Sequence, residues 1–476
     1  MLELAALLAA QAALLAAIVV LREPKLLIPC VVLGLPMEYL ETQAPDFLGG
    51  SGVAGAVRSL LNPGQAAMAA TVVVGVVRLR HNPGRLVPGS ALLIPLGALF
   101  AVQALGVWWS DTPTQPPNSV MILPLYAGFV MVAPSLIEDR RDVERIIGAF
   151  LVAALALAVI AIAQRVLGVF NWRAILVQSD DYSYRANATF ADPNNLARFL
   201  AISMSLAAGS VLVLGPRRLT VYLAAPMLVV ASAGIVATAS RSGWMTLLLC
   251  GFLVVAFAPI ARYSKVLITL GCFGALAALL GFVLAQGGAD AERVRTLTMG
   301  VQVIGVREFL IRAGWEMFKD NPLTGVGSGN YQHSLVISYL HLVPEWARTT
   351  LSHTSVISIM AELGVIGLAV LGFVVMRVAI VLGVVYSRSK APFNRVIIGW
   401  LAASLIGIVF QSQSEGRLLD EPFLWVLLAL FIAFETAPGL ATTAAEDAVR
   451  ASPVEAGATA APVTRTGVSG QAPRAN

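Results

Sequence analysis

Six basic residues, Arg293, Arg295, Arg307, Arg312, Lys319 and Arg348, and three of the chain's four histidines fall within residues 287–354. His353, at the end of this stretch, opens the apolar run "SHTSVISIMAELGVIGL". An imidazole in that position can pack at an interface, bind a metal or accept a proton near neutral pH. Arg241 sits between Ser240 and Ser242 at the start of another apolar run. Burying an arginine in hydrocarbon costs roughly 2.5–3.5 kcal/mol, so its head must meet water, headgroups or a polar cavity. Arg198, one turn inside a third run, must likewise find water or an anion, and Arg185 is a weaker candidate anion ligand or only a loop charge. Arg307 and Arg312 are five residues apart, about 140° round a helix, so they do not readily hold one phosphate together. Either could be a solvated loop charge or an anion ligand, and guanidinium suits the second role because its planar fork grips oxyanions in pairs. "GVGSGN", 325–330, is a structural turn or a nest of backbone N–H groups for an oxyanion. Glu362 follows His353 by nine residues, about 180° round a helix, and is expected to serve structure against another helix. Glu38, Glu41 and Asp46 are too loosely spaced to favour a metal site, and Asp180/Asp181 read as a solvated turn. Clustered zinc ligands are not found, so no metal and no cofactor are expected.

These residues need a membrane to position them. The 476 residues are 58% hydrophobic and 12% charged, with mean hydropathy +0.80. A soluble globular domain carries about twice that share of charge, so the chain belongs with polytopic membrane proteins. Apolar runs lie at 3–21, 26–40, 64–78, 91–109, 119–136, 146–166, 195–214, 219–238, 243–260, 265–286, 355–384, 395–411 and 421–436. The second and third are short, and either could be re-entrant. Arg22/Lys25, Arg78/Arg80/Arg85, Arg140/Arg141/Arg145, Arg217/Arg218, Arg262/Lys265 and Arg388/Lys390/Arg395 fall in alternate loops, which marks that side as cytoplasmic. The expected fold is all-α, with about 12–13 transmembrane helices in residues 1–436 and one large extracytoplasmic loop domain, 287–354. Residues 307–319 read as an amphipathic helix packing through Phe309, Gly314/Trp315 and Phe318, stopped at Asp320–Pro322. Residues 437–476, rich in Ala, Thr, Pro and Gly, read as a disordered cytoplasmic tail. The first run lacks a basic leader and a cleavage site, so it reads as a retained helix. Cys30, Cys250 and Cys272 lie in apolar runs and read as small buried hydrophobes. Nothing points to nucleic acid.

Four separated stretches resemble the O-antigen ligase and O-antigen polymerase superfamily of bacterial envelope glycosyltransferases. They are "ATFADPNNLARFL" at 188–200, "TASRSGWMTLL" at 238–248, "REFLIRAGWEMFKDNPLTGVGSGNY" at 307–331 and "SHTSVISIMAELGVIGL" at 352–368. One departure is Thr354, where the family commonly has asparagine after the histidine. The resemblance implies metal-independent, inverting glycan transfer from an undecaprenyl-diphosphate carrier to a sugar hydroxyl, outside the cytoplasmic membrane. It implies His353 as the base, with Arg241 and Arg307 on the diphosphate and Arg312 and Arg198 assisting. The acceptor would be a lipid A core sugar for a ligase, a lipid-linked repeat for a polymerase, or a Ser or Thr for a protein O-oligosaccharyltransferase. A transporter or flippase of lipid-linked sugars is the alternative of another class. It is expected to show charges through both halves and repeat symmetry, and here the charges gather at one face without an internal repeat.

Overall fold

The computed structural model describes residues 23–42, 58–81, 89–110, 118–170, 185–214, 220–268, 305–344 and 354–437, with a few single positions beside them. The described residues form helices α1 (Leu27–Gly34), α2 (Pro63–His81), α3 (Leu93–Trp108), α4 (Leu123–Val132), α5 (Arg140–Leu167), α6 (Pro193–Leu214), α7 (Ala225–Ala237), α8 (Arg241–Phe257), α9 (Gly305–Asp320), α10 (Tyr331–Ile337), α11 (Ser355–Arg388), α12 (Pro392–Glu415) and α13 (Pro422–Thr436). The protein is an all-α polytopic membrane protein. By length and apolar composition α5, α6, α11 and α12 can each cross a membrane unaided, and the remaining apolar helices are shorter. The first run, most of 265–286 and nearly all of the tail lie outside the described residues.

The shorter helices are viable because they are buried against one another. Every residue of α13 from Pro422 to Phe434 is buried, so it forms the centre of the bundle. Around it, Trp425 stacks with Tyr126 of α4 and lies against Phe100 of α3. Phe150, Phe199, Trp400 and Phe423 bring α5, α6, α12 and α13 into one aromatic contact. α11 lies at the rim, with much of its length exposed to lipid.

Side-chain pairing sorts the helix ends into two poles. At one, Lys25 pairs with Glu138 and Asp142, Arg140 covers the ring of Phe393, and Asn394 donates to the Leu440 carbonyl. At the other, Glu38 meets Ala191, Asn195 and Arg417. The second run thus leads from Lys25 at one pole to Glu38 at the other. α2 starts beside it, where Asn62 donates to the Leu35 carbonyl at 3.0 Å and Gly34 meets Gly64 without room for a Cβ.

The described part of the loop 287–354 has its own small core: Leu310, Ala313, Met317, Tyr331, Leu335 and Val343, shared with Ala361 of α11. α9 is amphipathic as expected, but its inward face is Leu310, Ala313, Gly314 and Met317. Trp315 points outward against Phe318, with ring centroids 5.4 Å apart. Gly314 rather than Trp315 faces Ile357 and Tyr331 because a side chain there would clash with both.

Candidate active site

The last four carbonyls of an α-helix have no partner within the helix. At the end of α12 the Gly416 amide still closes on the Ser412 carbonyl at 2.9 Å, the carbonyls beyond it have no helical partner, and side chains from the sequence motifs meet those of Ser412, Gln413 and Ser414. Arg307 Nη2 donates to the Ser414 carbonyl at 3.0 Å. Thr354 Oγ1 donates to the Gln413 carbonyl at 3.4 Å and Ser355 Oγ to the Ser412 carbonyl at 3.1 Å. The Val356 amide adds a bond to Gln413 Oε1 at 3.3 Å. From the other side, Ser242 Oγ donates to Glu415 Oε1 at 3.3 Å. A helix C-terminus carries partial negative charge and favours such donors and cations. One helix end thus gathers the start of α8, the start of α9 and the start of α11.

The "SRS" stretch is fixed by capping. Ser240 is the N-cap of α8, its Oγ accepting from the Gly243 amide at 3.2 Å. Its hydroxyl donates to Asn194 Oδ1 at 2.7 Å, which ties the stretch to the "DPNN" turn. Arg241 therefore begins a capped helix beside Ser242 and is partly exposed. Arg185 is not a loop charge: it is buried, donating to the Thr238 carbonyl at 2.9 Å and to Asn194 Oδ1 at 2.7 Å.

Arg198 is 2% exposed and its anions are internal. Its Nη1 meets Glu415 Oε2 at 3.0 Å, its Nη2 meets Glu421, and Asn195 Oδ1 accepts at 3.0 Å. It joins α6, α12 and α13 and does not stand in an open anion site. Arg417 continues the web, 3.3 Å from Glu38 and 3.6 Å from Asp420. Burial alone would lower the Arg417 guanidinium, but Glu38, Asp420 and Glu421 outweigh it and hold the group well above its ordinary value. Glu415, Arg417, Asp420 and Glu421 had no motif signal in the sequence. Their only mark was four charges crowded between two apolar runs.

"ELG" and "GVGSGN" form one joint. α11 breaks at Gly364, whose φ of 61° and ψ of −154° are open essentially to glycine alone. The break leaves the Ala361 and Glu362 carbonyls and the Val365 and Ile366 amides without helical partners. The turn supplies them: Val326 and Gly327 donate to Ala361 and Glu362 at 2.9 Å, and Pro322 and Leu323 accept from Val365 and Ile366 at 2.9 and 3.3 Å. The Glu362 carboxylate then accepts from the Gly329 and Tyr331 amides at 3.0 and 3.2 Å. The Glu362 carboxylate thus meets the glycine turn and the first residue of α10, where the sequence predicts a partner on another helix.

A cavity of about 260 Å³ lies beside this joint, lined by Tyr331, Ser355, Ser358, Glu362 and Glu415 through Asp420, among others. Arg312 is exposed on the outer face of α9, alongside Ile311 and Trp315, away from Arg307. His353 lies outside the described residues, one position before Thr354. Among the described residues no group of three or more His, Cys, Asp or Glu is placed to hold a metal. No curated protein matches the chain. Residues 226–372, from α7 through Arg241, Arg307 and His353 into α11, match the model of the family described as O-antigen ligase.

Proposed function

We propose that the protein transfers a glycan from a polyprenyl-diphosphate carrier to a hydroxyl acceptor at the outer face of the cytoplasmic membrane, as an O-antigen ligase. The observation that carries this reading is the gathering of the starts of α8, α9 and α11, which carry Ser242, Arg307 and Thr354/Ser355, on the C-terminal turn of α12. In the reaction the acceptor oxygen attacks the anomeric carbon while the bond from that carbon to the diphosphate oxygen breaks. The bonding electrons leave with the diphosphate, and the acceptor proton passes to the base. Attack opposite the leaving group inverts the anomeric centre. Negative charge grows on the diphosphate, so fixed guanidinium groups aimed at it stabilise the transition state. Arg241 and Arg307 take that role, and His353, next in the chain to Thr354, takes the proton. Arg198 positions α6 against α12 and α13 and does not touch the donor; Arg312 assists at most by long-range attraction.

The test is transfer by the purified full-length protein, in lipid nanodiscs, from an undecaprenyl-diphosphate-linked glycan. Arg241→Ala and Arg307→Ala should each lower kcat/KM by about 10²–10³-fold, the loss typical for one transition-state donor. Arg241→Lys should recover little, because an ammonium lacks the bidentate fork. His353→Ala should cost about 10²–10⁴-fold, the usual span for a general base. A folded His353→Ala protein with wild-type transfer would remove the histidine from the reaction.

A further inference from the structure

The turn that presents Arg241 is held in a conformation its residues do not favour. α7 ends at Ala237, α8 begins at Arg241, and between them Ala239 has a φ of 47°. A left-handed backbone is costly for alanine, because its Cβ crowds the following carbonyl. Bonds must hold the turn there, and several come from the segment before α6. The Ala186 amide donates to the Ala237 carbonyl at 2.9 Å, and Arg185 Nε donates to the Thr238 carbonyl at 2.9 Å. Arg185 Nη2 donates to Asn194 Oδ1 at 2.7 Å, and the same oxygen accepts from Ser240 Oγ at 2.7 Å. Arg185, Thr238, Ala239 and Ser240 are all buried.

Arginine suits this place because Nε and Nη2 lie on one edge of a rigid plane. That edge joins the end of α7 to the start of α6. The contacts then run from Arg185 through Asn194 to Ser240, whose Oγ caps α8 directly before Arg241. Little slack is left in this line. A Cβ on Gly243 would fall 2.3 Å from the Ala197 Cβ, so the first turn of α8 rests on the first turn of α6. On the other side of Arg241, Ser242 donates to Glu415 at the end of α12. Arg241 therefore stands between two tethers, one to Glu415 and one that ends on Arg185.

We propose that Arg185 is a positioning residue for Arg241. It does not touch the donor; through Thr238, Asn194 and Ser240 it fixes the first turn of α8 and with it the aim of the Arg241 guanidinium. This rests on the reading of Arg241 as a diphosphate ligand. A misplacement of about 1 Å can cost about 10²-fold, so the tether matters although it lies outside the contact itself.

The test measures binding of undecaprenyl diphosphate to the purified full-length protein in nanodiscs and needs no turnover. Arg241→Ala is expected to weaken binding about thirtyfold and Arg185→Met about tenfold. In the Arg241→Ala background Arg185→Met should cost less than about twofold more, whereas in the Arg307→Ala background the whole loss of about tenfold should remain. An arginine that only supported the fold would cost the same in every background. Asn194→Leu reaches the same tether from its other end and should act like Arg185→Met. Asn194→Asp keeps the accepting oxygen and should stay within about threefold of the parent chain. Arg185→Lys should recover little, because an ammonium lacks the fork. Ala239→Gly added to Arg185→Met removes the cost of the left-handed turn and should restore part of both the Tm and the affinity. No such recovery, or a full tenfold further loss in the Arg241→Ala background, would overturn the positioning role and leave Arg241 on the diphosphate. Unchanged affinity in Arg241→Ala alone would overturn the reading of Arg241 and the positioning role with it.

Discussion

Arg198 shows how far a single residue can be read before its neighbours are known. Its place one turn inside an apolar helix demands a counter-charge, and that demand is visible in sequence. The identity of the counter-charge is not, because Glu415 and Glu421 lie 217 and 223 residues further along. A bound diphosphate and two internal carboxylates satisfy the same demand, and only the fold tells them apart. The two roles predict different behaviour. Removing one partner of a buried ion pair typically costs about 3–5 kcal/mol, because it leaves uncompensated charge. Arg198→Met is therefore expected to lower the Tm strongly while leaving the donor KM of the folded fraction unchanged. Adding Glu415→Gln and Glu421→Gln should restore part of the Tm, since a neutral hydrogen-bonded set no longer strands charge. A thermal-shift series with donor titrations checks this. A raised donor KM with an unchanged Tm would return Arg198 to the diphosphate site.

At the scale of elements, the decisive feature is the break in α11. Hydropathy stays high through 355–384, so the sequence reads as one long helix there, and Gly364 is not distinguished from Gly367, Gly372 and Gly383. The physical reason is that the amides and carbonyls freed at the break are satisfied by another segment, 322–327, and not by water. A pattern read along the chain cannot see a partner that arrives from a different loop. The same limit explains why the "GVGSGN" glycines could be read equally as a structural turn or an oxyanion nest: Gly325 and Gly327 have positive φ and press against Glu362 and Ser110, and two amides of the turn region go to the Glu362 carboxylate. Gly364→Ala should be severely destabilising, by more than the roughly 1–3 kcal/mol of backbone strain, since its Cβ would also fall 2.4 Å from the Leu323 carbonyl group. Gly372→Ala, eight residues on in the same helix with open space around it, should be neutral or slightly stabilising. Limited proteolysis of the two variants reads the difference directly. The expected result is rapid cleavage within 305–344 in the first and wild-type protection in the second.

For the whole molecule, alternating basic loops were the most informative signal, and the pairing of helix ends into two poles follows them. Lys25 and Arg140 lie at the pole opposite Arg307 and Glu38, although the links that define each pole join residues more than a hundred positions apart. Short runs were harder to read. A helix as brief as α1 is buried only because α2 and α5 cover it, and that cover is invisible in a hydropathy window. The orientation of the poles relative to the cell is a separate question with a separate physical cause. Lysine and arginine are retained on the cytoplasmic side during insertion, so the Arg388/Lys390/Arg395 pole should face inward. The pole bearing α9 should then face outward despite its own arginines, because long loops are translocated largely regardless of charge. Single cysteines test this at two exposed positions, Arg312→Cys on α9 and Lys390→Cys between α11 and α12. A membrane-impermeant maleimide added to spheroplasts should label the first and reach the second only after permeabilisation. The parent chain supplies the background, since Cys250 is buried against the Ala403 carbonyl and Cys30 lies within α1. The reverse pattern would put the arginine cluster on the cytoplasmic side. There it would meet nucleotide sugars instead of an outward-facing lipid-linked glycan, and the proposed reaction would have no donor.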